Sequence, residues 1–254
     1  MNEVLVTIGR FSVYTLSLSV ILGYFWYSFV VYKKGLEYRY SGECLLDLAV
    51  VSGIFGWLGS RIGFVFSKLP TFSANWLRVF LLSEYPGYDY FGLLFWLLVG
   101  VVLLARRGEI KFYEGLDLVG LGLPGAIAFE RLGRVFAGYG TLVFGAPVEL
   151  LQALFFLVVF VWLWKLESEY RTFEWYRFRK TQARPGFIYG AFWFVSGFLI
   201  MIFNAYPRLN PTAQLLGAAS VIFGILLIYY QSGRSLAHDV KLLPFFSRWY
   251  TKSK

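Results

Sequence analysis

Leu116-Asp117-Leu118-Val119-Gly120-Leu121-Gly122-Leu123-Pro124-Gly125-Ala126-Ile127-Ala128-Phe129-Glu130-Arg131-Leu132-Gly133-Arg134-Val135-Phe136 is the stretch that decides how this chain folds. Up to Phe129 it is apolar or glycine apart from Asp117, and it is long enough to cross a bilayer as a helix. Glu130, Arg131 and Arg134 then put three charges into its last turns. An arginine at membrane depth costs several kcal/mol, so it faces a bundle interior or a watery cavity and takes a partner. Arg131 and Arg134 are three apart and share a helical face, and Glu130 is one turn from Arg134. Two guanidinium groups on one face within lipid make a socket for an anionic group, and phospholipid phosphate is the abundant candidate nearby. The plainer reading has Glu130 neutralise Arg134 while Arg131 caps carbonyls or snorkels to the interface.

The composition around this stretch agrees with a membrane setting. Of 254 residues, 58% are hydrophobic and only 15% are charged, with a mean hydropathy of +0.60. A soluble domain of this length carries more charge, so the chain reads as an integral membrane protein. Aromatic residues make up 21% of it, and many of the 9 Trp and 18 Tyr belong at the two membrane interfaces. Cys44 is the single cysteine; it allows no intrachain disulfide and no cysteine-based metal site. No cofactor motif or metal-ligand spacing is present, so no cofactor is expected. Met1 to Arg10 lack the basic start and small-residue cleavage site of a signal peptide, so the first apolar run is expected to remain as an anchor.

Apolar runs of spanning length predict an all-α, polytopic fold of seven transmembrane helices. They lie near Phe11–Tyr32, Leu45–Phe66, Tyr90–Ala105, Leu116–Phe136, Val148–Trp164, Phe187–Ala205 and Ala213–Tyr230. The third and fifth are short and should extend into flanking residues. No internal repeat and no soluble domain is evident, so residues 1–233 read as one membrane domain and 234–254 as a basic tail. Most of the 24 lysines and arginines follow spans one, three and five or lie in that tail. The opposite side carries only Arg10, Lys68, Arg78 and Arg208. By the positive-inside rule the N-terminus is outside and the C-terminus cytoplasmic. The net charge of +9 is therefore topological. It suits an anionic leaflet and does not indicate nucleic acid.

This orientation gathers polar groups toward the outer leaflet. Arg131 and Arg134 fall in the outer half of span four, Arg61 in the outer third of span two, and Tyr14 in the first turn of span one. Pro147 and Glu149 open span five from the same side, and Asn204 ends span six there. Gly53, Gly56, Gly59 and Gly63 form a small-residue stripe for close helix packing. Gly115 to Gly125, with Pro124, reads as a flexible or kinked span.

The order of these motifs resembles the prolipoprotein diacylglyceryl transferase family, over roughly Tyr14 to Gly224. Gly59-Ser60-Arg61-Ile62-Gly63-Phe64-Val65-Phe66 is similar to a span-two stretch in which glycine, arginine, glycine and tyrosine recur. Ala105-Arg106-Arg107 is similar to the cytoplasmic end of the next span. Glu130 to Gly138 resembles the signature Gly-Arg-hydrophobic-Gly-Asn-Phe-hydrophobic-Asn-Gly. Arg131, Gly133 and Gly138 match it, while Arg134 and Ala137 stand for the two asparagines. Pro147-Val148-Glu149-Leu150-Leu151-Gln152-Ala153 resembles Pro-Ser-Gln-Leu-Tyr-Glu-Ala, with Gln and Glu exchanged. Tyr14 falls at a functional tyrosine, and Gln214 at a glutamine that opens the last span.

The resemblance implies a multi-pass protein of the bacterial cytoplasmic (inner) membrane. It implies transfer of diacylglyceryl from phosphatidylglycerol to the cysteine thiol of a lipoprotein precursor. Its substrate-binding residues would be Arg131, Arg134, Arg61, Glu130, Asn204 and Gln214, and its catalytic residues Arg131, Glu149 and Tyr14. The departures are specific. The family's His-Gly-Gly appears as Phe91-Gly92-Leu93, and its second essential arginine falls at Ser196 or Gly197. The Glu and Arg that follow fall near Met201 and Asn204. His238, the only histidine, is on the tail across the membrane. The base that forms the thiolate would then be Glu149, Glu130 or Tyr14. Two functions remain open at this point: a divergent diacylglyceryl transferase, and a non-catalytic relative that binds lipid or a protein partner.

Overall fold

A computed structural model describes residues 4–8, 11–73, 75–80, 85, 87–138, 142–143, 146–203, 211–235 and 239. Two short strands open the chain, β1 (Val4–Ile8) and β2 (Phe11–Tyr14), and are paired antiparallel with Thr7 opposite Ser12. The helices α1 (Thr15–Glu37) and α2 (Gly42–Ser67) follow, then a short α3 (Leu69–Ser73) and a 3-10 turn at Trp76–Phe80. Next come α4 (Tyr90–Arg106), α5 (Phe112–Phe136), the two-residue strands β3 (Leu142–Val143) and β4 (Ala146–Pro147), and α6 (Val148–Glu169). A 3-10 turn at Tyr170–Thr172, the short α7 (Glu174–Arg177), α8 (Phe187–Phe203) and α9 (Pro211–Ser232) complete the described chain.

Five of these helices are long and apolar enough to cross a bilayer, and α4 and α8 are shorter apolar helices. A helix of 23 residues such as α1 rises about 35 Å, enough for a hydrocarbon core of about 30 Å. Large apolar side chains such as Phe25, Phe29, Phe155 and Val158 lie exposed along α1 and α6. A soluble monomer rarely tolerates such faces. The protein is a polytopic membrane protein, and its described residues are helical but for two small hairpins and the connections.

The expected seven runs all become helices, with one correction at the start. Phe11–Tyr14, predicted as the beginning of span one, is a strand. The reason is local: Phe11-Ser12-Val13-Tyr14 alternates and is rich in aromatic and β-branched residues, and Val4–Ile8 supplies a partner of the same character. Tyr14 is therefore the residue before α1 and not part of its first turn. Pro147 likewise ends β4, and α6 starts at Val148. The fifth run extends as expected, to Glu169.

The chain divides into two compact units, Met1–Phe160 and Val161–Lys254. In the first, α5 is the central element, far more deeply buried along its length than α1 or α2. Its glycines let neighbours approach to backbone distance. A Cβ on Gly122 would lie 2.8 Å from Tyr27, and one on Gly133 would lie 2.5 Å from Ser19. Position numbers fall on α1 as they rise on α5, so the two are antiparallel. The α5 helix is continuous through Pro124. The glycine stripe of α2 packs as expected: Gly56 and Gly59 meet Leu97 and Trp96 of α4, Gly63 meets Asp89 and Gly92, and Gly53 meets Tyr24 of α1. Asp89 caps α4 by accepting from the Gly92 N–H at 2.6 Å.

In the second unit α8 and α9 form an antiparallel pair with small residues at the seam. A Cβ on Gly224 would lie 2.5 Å from the Gly190 carbonyl, and one on Gly197 would lie 2.6 Å from the Gly217 carbonyl.

Candidate functional site

The last turns of α5 carry the charge cluster. Arg134 Nε donates to Glu130 Oε1, one turn back. Arg131 Nε lies 3.2 Å from Glu130 Oε2, an ion pair. Its geometry does not make a hydrogen bond, so Nε is shielded from solvent without an acceptor. Both guanidiniums stand near the carbonyl end of α5, where cations are favoured and a carboxylate is not. Two arginines thus share one carboxylate. The cluster keeps one net positive charge and a buried donor that awaits an oxygen, the complement of an anion. All three side chains are partly exposed, so the cluster is reachable.

Arg61 is spent differently. It is buried in α2, with Nε donating to the Val79 carbonyl at 3.0 Å and Nη1 to Tyr85 and Gly87 at 2.7 and 3.2 Å. Its guanidinium also lies 5.4 and 5.6 Å from the ring centroids of Phe64 and Phe72. This arginine staples the connection between α2 and α4, and only Nη2 is left without a partner. The Tyr27–Ser52 hydrogen bond between α1 and α2 and the contact of Gly23 with Ala126 set the depth. Both registers bring Arg61 and Arg131 level with the first turns of α1. Tyr14, exposed and making no side-chain cap, precedes those turns.

Glu149 opens α6 as a first-turn carboxylate, where the helix dipole favours it. Its Oε2 is shielded and has no hydrogen-bond partner, and neither has Oε1 of Gln152 one turn later. No hydrogen bond or ion pair joins Glu149 to Glu130, Arg131 or Arg134. The sequence reading did not single out Gln152 as a site residue; its spacing of three from Glu149 was the available signal. Gln214, in the second unit, donates from Nε2 to the Met201 carbonyl at 2.8 Å and so ties α9 to α8. Asn204 and His238 lie outside the described residues.

The two departures from the family pattern have distinct physical settings. Phe91 sits in the first turn of α4 with its ring edge-on to Tyr90 at 5.4 Å. The next residue, Gly92, keeps a packing role, since a Cβ there would lie 2.4 Å from the Gly59 carbonyl. At this motif the close α2–α4 contact remains while the imidazole is gone. Ser196 is buried, and Gly197 lies against the α9 backbone. An arginine at Gly197 has no room in this seam.

At the other end of α5 the polar groups are matched to one another. Glu114, in its first turn, accepts from Tyr40 Oη at 2.6 Å and from Lys111 Nζ at 3.2 Å. Tyr40 Oη in turn accepts from the Lys111 N–H at 3.1 Å. Burial, and then the bond to Glu114, push the Tyr40 phenol up to about 12. A cleft of about 510 Å³ opens beside this network, lined in part by Tyr38, Glu109 and Phe112.

A helical, lipid-facing bundle with an arginine pair at one end of its central helix defines a multi-pass membrane protein with a candidate anion socket. The family model of prolipoprotein diacylglyceryl transferase matches residues 3–246. The chain belongs to that family. It is 28% identical over 142 residues to a phosphatidylglycerol–prolipoprotein diacylglyceryl transferase of Wolbachia sp. subsp. Drosophila simulans (strain wRi), covering 54% of this chain and 52% of that protein. It is 25% identical over 222 residues to the protein of that name from Staphylococcus aureus (strain JH9), covering 86% of this chain and 69% of the relative. The match thus spans about half the length of the Wolbachia relative.

Proposed function

We propose that this protein holds an anionic phospholipid, phosphatidylglycerol by family membership, with Arg131 and Arg134 in the outer leaflet of a bacterial cytoplasmic membrane. There it transfers diacylglyceryl to the cysteine thiol of a lipoprotein precursor. The observation that carries this reading is the shared carboxylate: two guanidiniums on Glu130, one with a shielded Nε that has no acceptor. In the reaction the thiol loses its proton and the thiolate attacks the glyceryl carbon. The carbon–oxygen bond to phosphate breaks, leaving a thioether and glycerol phosphate. The arginine pair stabilises the charge that grows on the leaving phosphate, where preorganised donors in a water-poor site count most. Glu149 and Tyr14 are the candidates to take the thiol proton, and Glu149 has a shielded oxygen with no competing donor. Asn204 and Gln214 are candidates to position substrate.

A second reading, a relative that binds lipid without turnover, is favoured by Phe91 at the imidazole position and by the closed seam at Gly197. Purified protein with phosphatidylglycerol and a lipobox peptide separates the two. The transferase reading expects a thioether-linked peptide and one glycerol phosphate released per product. Bound lipid with no product establishes the second reading, and absence of lipid binding removes both. The orientation has its own check. Single cysteines placed in 68–89 should react with an impermeant thiol reagent on intact cells, and those in 168–184 should not; the reverse pattern moves the socket to the cytoplasmic leaflet.

A further inference from the structure

Within the second unit, the turn after α7 gathers cations that make no ion pair with the described acids. Phe178 and Arg179 take φ of 24° and 58°, a left-handed conformation costly for side-chain-bearing residues. Around this bend the Lys180 N–H donates to the Arg177 carbonyl at 3.0 Å. The bend carries Lys180 onto the end of α9, where Gly233 closes the helix with φ of 72°. A Cβ on Gly233 would lie 2.2 Å from Lys180 Nζ, so the ammonium sits directly against this glycine. The partial negative charge at the end of α9 helps hold Lys180 there. Yet Lys180 donates no side-chain hydrogen bond and makes no ion pair with a described residue.

Arg184 lies close enough to repel it, and burial together with that repulsion pulls the Lys180 ammonium below its ordinary range. Arg184 likewise makes no ion pair with a described residue; its backbone carbonyl is held by Tyr176 Oη at 2.8 Å. Arg177 Nε is shielded from solvent without an acceptor. Nearby Arg234, by contrast, is already paired to Asp239 at 3.6 Å and bound to the Trp175 carbonyl at 3.2 Å. Among the described residues, the fold thus neutralises Arg234 and leaves Arg177, Lys180 and Arg184 without an ion pair around the strained turn. Like charges held together in this way lower their energy by sharing an anion.

We infer that Arg177, Lys180 and Arg184 form a second anion site, separate from the α5 cluster, that takes a phosphate group. Trp175, half exposed beside it, has the amphipathic character of an interfacial anchor, so the phosphate of an anionic lipid headgroup and a free phosphate are the two sources to distinguish.

The full chain in neutral detergent, titrated with phosphatidylglycerol, phosphatidylcholine or inorganic phosphate and read by native mass spectrometry, tests this. Wild type should retain two phosphatidylglycerol molecules. Lys180→Gln/Arg184→Gln should lose one of them, with affinity down about tenfold, the scale of a lost charge-assisted contact. Arg131→Ala should lose the other, so failure at one site is read separately from failure at the other. Competition by inorganic phosphate assigns the site to free phosphate; absence of competition, with phosphatidylcholine not retained, assigns it to an anionic headgroup. If the double variant fails to fold, Arg184→Gln alone should lower the same affinity about threefold. A folded variant that retains both lipids as wild type does overturns the inference.

Discussion

The two ends of α5 each place a carboxylate, Glu114 in the first turn and Glu130 in the last turns, and use it in opposite ways. At the first turn, Glu114 is met by a tyrosine hydroxyl and a lysine ammonium, and Tyr40 closes the loop by accepting from the Lys111 backbone. Donors and acceptors balance, and the helix dipole favours the acid. At the last turns, Glu130 is met by two arginines, the dipole favours the cations instead, and Arg131 Nε has no acceptor. Buried polar groups are expensive to leave unmade. A balanced network of this kind is structural, and the unbalanced one in the same helix is the end we propose a ligand completes. On this view the first end should respond to mutation in stability and the second in binding.

The largest test of this contrast is Arg131→Ala. It should weaken binding of anionic phospholipid about ten- to a hundredfold, the range for losing a charge-assisted pair of about 1.5–3 kcal/mol. Thermal stability should change little, because Arg131 and Glu130 are only partly buried and their ion pair carries no hydrogen bond that the substitution would break. Arg131→Lys should recover part of the affinity, since an ammonium lacks the planar fork. Lipid-exchange measurements with wild-type affinity in Arg131→Ala would make this end structural as well and erase the contrast.

Much of this was legible before the fold was known, and the gaps have physical causes. All seven apolar runs became helices, five of them of spanning length and two shorter, because hydropathy is imposed by the bilayer and not by partners. The Glu130–Arg134 pair follows from helical spacing alone. The fate of Arg61 does not: its acceptors are backbone carbonyls of Val79, Tyr85 and Gly87, and carbonyls carry no residue signature. Nor does the Tyr40–Glu114 bond, which joins positions 74 apart. The opening hairpin was hidden because Phe11–Tyr14 is apolar enough to read as helix, and only its alternation with Val4–Ile8 says otherwise. The seam at Gly197 shows the same limit, since the sequence reveals that arginine is missing there but not that α9 fills its space.

A smaller effect is expected at Glu130. If it serves only as shared counter-charge, Glu130→Gln frees both arginines and should tighten lipid binding about three- to fivefold, less than the loss in Arg131→Ala because the arginines then also repel each other. If it is the base, the same change leaves binding near wild type and abolishes thioether formation. The two outcomes separate cleanly when affinity and turnover are measured on one preparation. Weakened binding in Glu130→Gln would mean that the carboxylate orients the arginines, and the end would then count as a preorganised site.

The smallest effect, and the one that tests the matched end, is Tyr40→Phe. The hydroxyl bridges Glu114 and the Lys111 backbone, so its removal should cost about 1 kcal/mol of stability, below the usual range of about 1.5–3 kcal/mol for a bond to a charged acceptor because the site is partly wet. Lipid affinity should not change. The pH dependence follows from the phenol's rise to about 12 from 10.0. A group whose folded value is raised stabilises the fold fully below its unfolded value and loses that contribution as pH climbs toward the folded one. Wild type should therefore lose stability between about pH 10 and 12 by an increment that Tyr40→Phe lacks, measured as the difference between their unfolding midpoints in detergent. An identical alkaline decline in both proteins would show that Tyr40 and Glu114 are uncoupled, and would remove the matched end from which the unmatched one is distinguished.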